Sequence, residues 1–240
     1  MTLCAWQLLA NVALDTRQDE LTVPLLLAVG LLTFILWWYY RKRERINMLR
    51  ELAEEWNWEF IEEENDRIPP ELENVPMAED FIFLCRQRIC GVQDGINIAI
   101  FDLTVFEFKI SKNFTYTALA LRHPDLDLPL FTLKHRTKFE DGLQENRGVQ
   151  FPDDFEFTQQ MRIDALDYAA VRKRLTQEFR DLIRNEDDIS IIGNRDTLFI
   201  HKYPGHLSRD EIERSLKQGI GLVKALLKKD QRMSASSSGD

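Results

Sequence analysis

The sequence predicts an α+β fold: one N-terminal transmembrane helix extended as a stalk, then an antiparallel sheet packed with two amphipathic helices. Three observations predict it. A run without charges from Leu21 to Tyr40 ends in a cluster of basic residues. Segments rich in β-branched and aromatic residues flank short turn signals such as Asp94-Gly95. Two later segments place apolar residues three and four apart.

Residues 1–20 are expected to form a short extracytoplasmic N-terminus. Its first fourteen residues, with Trp6, Leu8, Leu9, Val12 and Leu14, fit either an interfacial helix or a frayed tail. Residues 21–40 are the expected transmembrane helix: twenty residues at about 1.5 Å of rise give roughly 30 Å, the thickness of a bilayer's hydrocarbon. A cleaved leader is not expected, because no Lys or Arg precedes Arg17 and the run ends in Trp37, Trp38, Tyr39 and Tyr40 rather than in small residues. These four aromatics fit an interfacial belt. Arg41, Lys42, Arg43 and Arg45 follow at once, whereas Asp15, Asp19 and Glu20 oppose a single Arg17 on the other flank. Basic residues stay on the cytoplasmic side, so the expected protein is single-pass, with its N-terminus outside and its large C-terminal domain cytoplasmic. Residues 41–57 form the basic collar and a stalk helix, in which Ile46, Leu49, Leu52, Ala53 and Trp56 recur at helical spacing. The acidic, proline-containing residues 58–80 read as a linker.

Residues 81–230 are the expected cytoplasmic α+β domain. Phe81–Cys90 and Ile96–Phe108 pair across the turn at Asp94-Gly95, and Phe114–Arg122 follows a second turn at Ser111, Lys112 and Asn113. The three strands make an antiparallel meander. Its middle strand is apolar at both parities and therefore needs cover on both faces. Short extended pieces and loops are expected from His123 to Phe157, then one helix from Asp167 to Arg184 with Val171, Leu175, Phe179 and Leu182 on its stripe. Ile189–Ile192 and Thr197–Tyr203 form a second hairpin around Gly-Asn-Arg-Asp. Ser208 and Glu211 make a capping box for a last helix that buries Ile212, Leu216, Ile220, Val223 and Leu227. Residues 231–240 read as a flexible tail.

The formal net charge is −9; residues 1–45 hold five basic and four acidic residues, leaving 26 basic and 36 acidic, or −10, for the rest. Such a domain does not suit nucleic acid. Cys4, Cys85 and Cys90 are too few for a disulfide framework, and regular alternation would point Cys85 and Cys90 to opposite faces of their strand. No phosphate-binding glycine loop or Gly-x-Ser-x-Gly elbow occurs, and His123, His135, His201 and His206 are too scattered for a zinc helix. No cofactor and no metal are expected. Asp102 stands out because it shares the parity of Ile96, Ile98, Ile100 and Thr104, where a carboxylate needs a partner: a backbone N–H, Arg86 or Arg88, or a bulge that turns it outward. Asp94, Asp102, Glu107 and Lys109 together suggest the alternative of a metal-dependent hydrolase or nuclease-like site, in which carboxylates hold Mg²⁺ and lysine orients water. The leading expectation is instead a non-enzymatic interaction or accessory domain. Its partners would be the lipid bilayer and a membrane protein or a second copy of the chain. The loop residues Leu128, Pro129, Phe131, Phe151, Pro152 and Phe155 are its candidate contacts.

Several short motifs stand in a recognisable order: Ile100-Phe101-Asp102, Leu128-Pro129-Leu130-Phe131-Thr132-Leu133, Phe151-Pro152-Asp153-Asp154-Phe155 and Ala170-Val171-Arg172. Over residues 40–205 this order resembles an uncharacterised family of bacterial single-pass membrane proteins carrying a domain of unknown function. Where such sequences tend to have a tyrosine after the Asp and Arg-Pro-Glu after the second motif, this chain has Leu103 and Lys134-His135-Arg136. The resemblance implies the architecture and no reaction.

Overall fold

The computed structural model describes residues 22–62, 81–107, 112–136, 148–186, 188–202 and 205–237. It divides at Met48/Leu49 into two compact units. Helix α1 (Thr22–Glu55) runs through the boundary. In the first unit the apolar positions face outward on all sides: Leu31, Leu32, Phe34, Ile35 and Leu36 are each about half exposed. Among the described residues no helix is long and apolar enough to cross a membrane. Leu21 lies outside the described residues.

The last two turns of α1 differ from a free stalk. Leu49, Leu52 and Ala53 are buried in the second unit, so this end of the helix is part of the folded domain. The helix stops in a Schellman motif: Trp58 N–H donates to Ala53 O, Asn57 N–H donates to Glu54 O, and Asn57 takes a left-handed φ of 54°.

The second unit is one eight-stranded antiparallel sheet in the order β1-β2-β3-β4-β8-β7-β5-β6. Its strands are β1 (Glu59–Ile61), β2 (Phe81–Gln93), β3 (Ile96–Glu107), β4 (Lys112–Arg122), β5 (Leu128–His135), β6 (Met161–Ala165), β7 (Ile189–Arg195) and β8 (Thr197–Lys202). The meander β2-β3-β4 forms as expected, with Asp94 and Gly95 at φ 54° and 77° in the two-residue turn between Gln93 and Ile96. Strand β4 starts at Lys112, so Lys112 and Asn113 pair with β3 instead of turning. Strand β3 is buried on both sides, through Ile98 and Ile100 on one face and Ala99, Phe101 and Leu103 on the other. β4 joins β8, which links the two hairpins into one sheet.

Sequence order predicts Cys85 and Cys90 on opposite faces; a bulge in β2 overturns this. Gln87, at φ 33°, is left unpaired between Arg86↔Asp102 and Arg88↔Phe101, so Cys85 opposes Leu103 and Cys90 opposes Ala99 on one face. Five residues along a strand are still about 16 Å, beyond disulfide reach, and the two form no disulfide.

Three short helices lie between β5 and β7: α2 (Phe155–Gln160), α3 (Tyr168–Arg174) and α4 (Gln177–Ile183). Helix α2 replaces an expected extended piece, because the Asp154 side chain caps it by accepting from Phe157 N–H. The single helix expected over 167–184 is two. Thr176 leaves the helical conformation and caps α4 by accepting from Phe179 N–H. That break shifts the phase of the buried stripe, which puts Ile183 inside and leaves Leu182 39 % exposed. Helix α5 (Arg209–Ser237) covers β4 and β8. Gly219 allows the close approach, since a Cβ there would stand 3.1 Å from Leu121 and 3.3 Å from Ile200. Its backbone helix extends through Ser237, into the stretch expected as a tail.

Candidate functional site

Asp102 lies in the middle of β3 on the face that α5 covers, beside the apolar positions Ile98 and Ile100, and is 2 % exposed. Its register partner on β4 is Thr117, whose Oγ1 donates to Asp102 Oδ1 at 2.8 Å. Thr117 is itself fully buried and takes the Leu207 N–H at 3.0 Å, while its backbone N–H donates to Gly205 O. These bonds fasten residues 205–207, the approach to α5, across the sheet. They bring the His206 ring to Asp102, with Nδ1 3.1 Å from Oδ2 and the side chain 48 % exposed. Against an ionised Asp102, which can only accept, Nδ1 would be the donor and Nε2 the remaining ring nitrogen. The result is a buried acid fixed on a half-exposed imidazole, with the bulge at Gln87 next to it on β2.

Of the partners expected for Asp102, Arg86 stands opposite it in register, and the bulge occurs one strand away rather than at Asp102 itself. His206 was not legible as the partner: it lies 104 residues downstream, and no spacing connects the two. Thr117 carried a weak signal, as a hydroxyl sharing the parity of Leu119 and Leu121.

Among the described residues the alternative metal site is not brought together. Asp94 sits in the β2–β3 turn and binds Lys224 Nζ at 2.7 Å, eight residues along β3 and so about 26 Å from Asp102. Glu107 occupies the opposite parity of β3 from Asp102, and Lys109 lies outside the described residues. Among the described residues no group of three His, Cys, Asp or Glu residues is placed to hold a metal.

The two candidate contact loops fold inward. Leu128, Phe131 and Phe151 are 1–3 % exposed and Pro129 is half-buried; only Pro152 and Phe155 remain exposed, Phe155 by 70 %. Phe131 fills the space left by Gly193, where a Cβ would stand 2.2 Å from its ring. Phe151 lies edge-on to Phe157 and beneath the Arg180 guanidinium, 4.5 Å from its ring centre. The Phe-Pro-Asp-Asp-Phe motif is thus a structural anchor. Asp154, 5 % exposed, accepts from Arg180 Nε at 3.0 Å and Arg184 Nη2 at 2.8 Å, and Arg180 reaches Asp153 at 2.6 Å. Burial would push the Asp154 carboxyl up, but the hydrogen bonds from Arg184, Phe157 N–H and Arg180 outweigh it and hold it below the usual carboxylate range.

A groove of about 540 Å³ opens between the end of α1, the β2–β3 turn and α5. Trp56, Leu216 and Ile220 form its apolar lining, and Glu213, Lys217 and Lys224 add charge. A separate, partly buried histidine, His201, stacks on Tyr116 at 4.6 Å; desolvation of its ring lowers its pKa to about 4. No protein-family model, curated protein or solved structure matches the chain.

Proposed function

We propose that the chain is a single-pass membrane protein of the uncharacterised bacterial kind it resembles, N-terminus outside, whose cytoplasmic α+β domain is an interaction or accessory module. One observation carries this reading: from Leu27 to Tyr40, eleven large apolar side chains on every face of α1 are 49–69 % exposed. Each such side chain gains about 1.5–3 kcal/mol on leaving water, and hydrocarbon on all sides is the environment that supplies this gain. The twenty charge-free residues from Leu21 provide the length, and the Arg41–Arg45 cluster the orientation. Anchoring concentrates a domain near membrane partners, and the groove beside Trp56 is a concave surface that suits one. Carbonate-washed membranes of expressing cells should retain the full chain. Protease should digest the C-terminal domain in inside-out vesicles and spare it in intact cells. A chain released by carbonate, or a domain cut from outside, ends this reading.

The Asp102–His206 pair favours a second reading, a metal-independent hydrolase with His206 Nε2 as general base. Ester hydrolysis by the purified full chain that disappears in His206→Ala would establish it. Activity untouched by that substitution would discard it.

A further inference from the structure

Resting on the membrane reading above, we propose that Trp37, Arg41 and Arg45 form a headgroup site selective for anionic phospholipids. Four residues separate each from the next, so the three share one face of α1. The Arg41 guanidinium lies over the Trp37 ring, 5.5 Å from its centre, and the Phe34 ring sits tilted against Trp37 with centres 6.1 Å apart. An indole on the apolar side of a guanidinium reproduces the order of a phospholipid along the bilayer normal, acyl carbonyls below and phosphodiester above. The ring steers Arg41 toward that level, where its planar donors bind phosphate oxygens in pairs. Trp37, at 55 % exposed, is open to lipid.

Net charge sets the choice among lipids. Lys42 and Arg43 extend the positive charge around the helix, and Glu44 is the one acidic residue within the collar. The remaining chain, near −10, is repelled by an anionic leaflet. Attraction to such a leaflet therefore falls to the collar. One arginine near an anionic surface is worth about a fivefold preference over a zwitterionic one, and the preference falls with salt.

The test reconstitutes the full chain in bilayers containing either brominated phosphatidylglycerol or brominated phosphatidylcholine and reads quenching of tryptophan fluorescence, since Trp37 lies at the site. The expected result is a relative binding constant about fivefold in favour of phosphatidylglycerol at low salt, falling toward one at high salt. Arg41→Gln with Arg45→Gln should lower the preference by more than Lys42→Gln with Arg43→Gln does, and Arg41→Lys with Arg45→Lys should retain most of it. Inorganic phosphate should act no more strongly than chloride at equal ionic strength. Equal quenching by the two lipids overturns the headgroup site while leaving the membrane anchor standing. Quenching by neither lipid removes the anchor and the site together. A loss in the Arg41 and Arg45 double Gln variant no larger than in the Lys42 and Arg43 one, or a specific effect of free phosphate, overturns the assignment to these residues or to lipid.

Discussion

Removing the Asp154 carboxylate should destabilise the domain far more than removing the whole ion pair. Asp154 is 5 % exposed and Arg180 4 % exposed. Arg180 donates to Asp154, Asp153, the Gln177 side chain and Leu175 O, and Arg184 donates to Asp154 as well. Asp154→Ala leaves the buried Arg180 without its best partner and removes the cap of α2. Breaking a buried pair costs about 3–5 kcal/mol and losing a cap about 1 kcal/mol. Asp153 and Gln177 still hold Arg180, so a net loss of about 4 kcal/mol is expected, or roughly 8–16 °C in Tm for a chain of this size. Asp154→Leu combined with Arg180→Met should cost markedly less than the two single changes added, because apolar residues of similar volume often replace a buried pair at little cost. Urea unfolding of the full chain in mild detergent, followed by near-UV circular dichroism, measures each variant. The Asp154 carboxyl is held low in the folded state, so its stabilisation is complete above the ordinary carboxylate pKa and is lost as pH falls through the lowered folded value. Asp154→Asn should remove that acid limb. A loss under about 1 kcal/mol for Asp154→Ala, or strict additivity in the double variant, would refute a buried, coupled network.

Three other outcomes follow from the packing. His201, whose buried Nδ1 has no hydrogen-bond partner among the described residues, holds its proton less tightly in the folded chain than in the unfolded one. Its pKa falls from 6.5 to about 4, so the unfolded chain binds more protons and stability declines by about 3 kcal/mol as pH drops from 6.5 to 4; His201→Phe should flatten this slope in urea titrations at stepped pH. Gly193→Ala should cost about 1–3 kcal/mol through its clash with the Phe131 ring, and Phe131→Leu should recover part of it in a double-mutant cycle; an unaffected Gly193→Ala would mean that Phe131 moves freely. Thr117→Val removes the donor to Asp102 and the acceptor for Leu207 N–H, and should cost about 2 kcal/mol while speeding amide exchange at Leu207; unchanged exchange there would separate Thr117 from the 205–207 segment.

The candidate site was only half legible in the sequence. Asp102 could be singled out because alternation along β3 is regular and a carboxylate at an inward parity violates it. Its partner could not, since the pairing of His206 with Asp102 depends on where the 205–207 segment crosses the sheet. The inward folding of Phe131 and Phe151 was equally hidden: the space for Phe131 is created by Gly193, and the lid over Phe151 by Arg180, both distant in the chain. The bulge at Gln87 has no turn residue to announce it, and it alone reversed the expected placement of Cys85 relative to Cys90.

By itself the sequence determined what depends on neighbours in the chain: the turn at Asp94-Gly95, the capping box in which Ser208 N–H and Oγ donate to Glu211, the α5 stripe of Ile212, Leu216 and Val223, and the charge-free run before Arg41. Backbone propensity, side-chain period and charge order act over a few residues, so one chain reveals them. The tertiary structure decided the union of two hairpins through β4 and β8, the break at Thr176, the burial of the end of α1, and the meeting of Asp102 with His206. Those outcomes follow from burying apolar surface and satisfying polar groups between segments far apart in sequence, an accounting that closes only once the whole domain is packed.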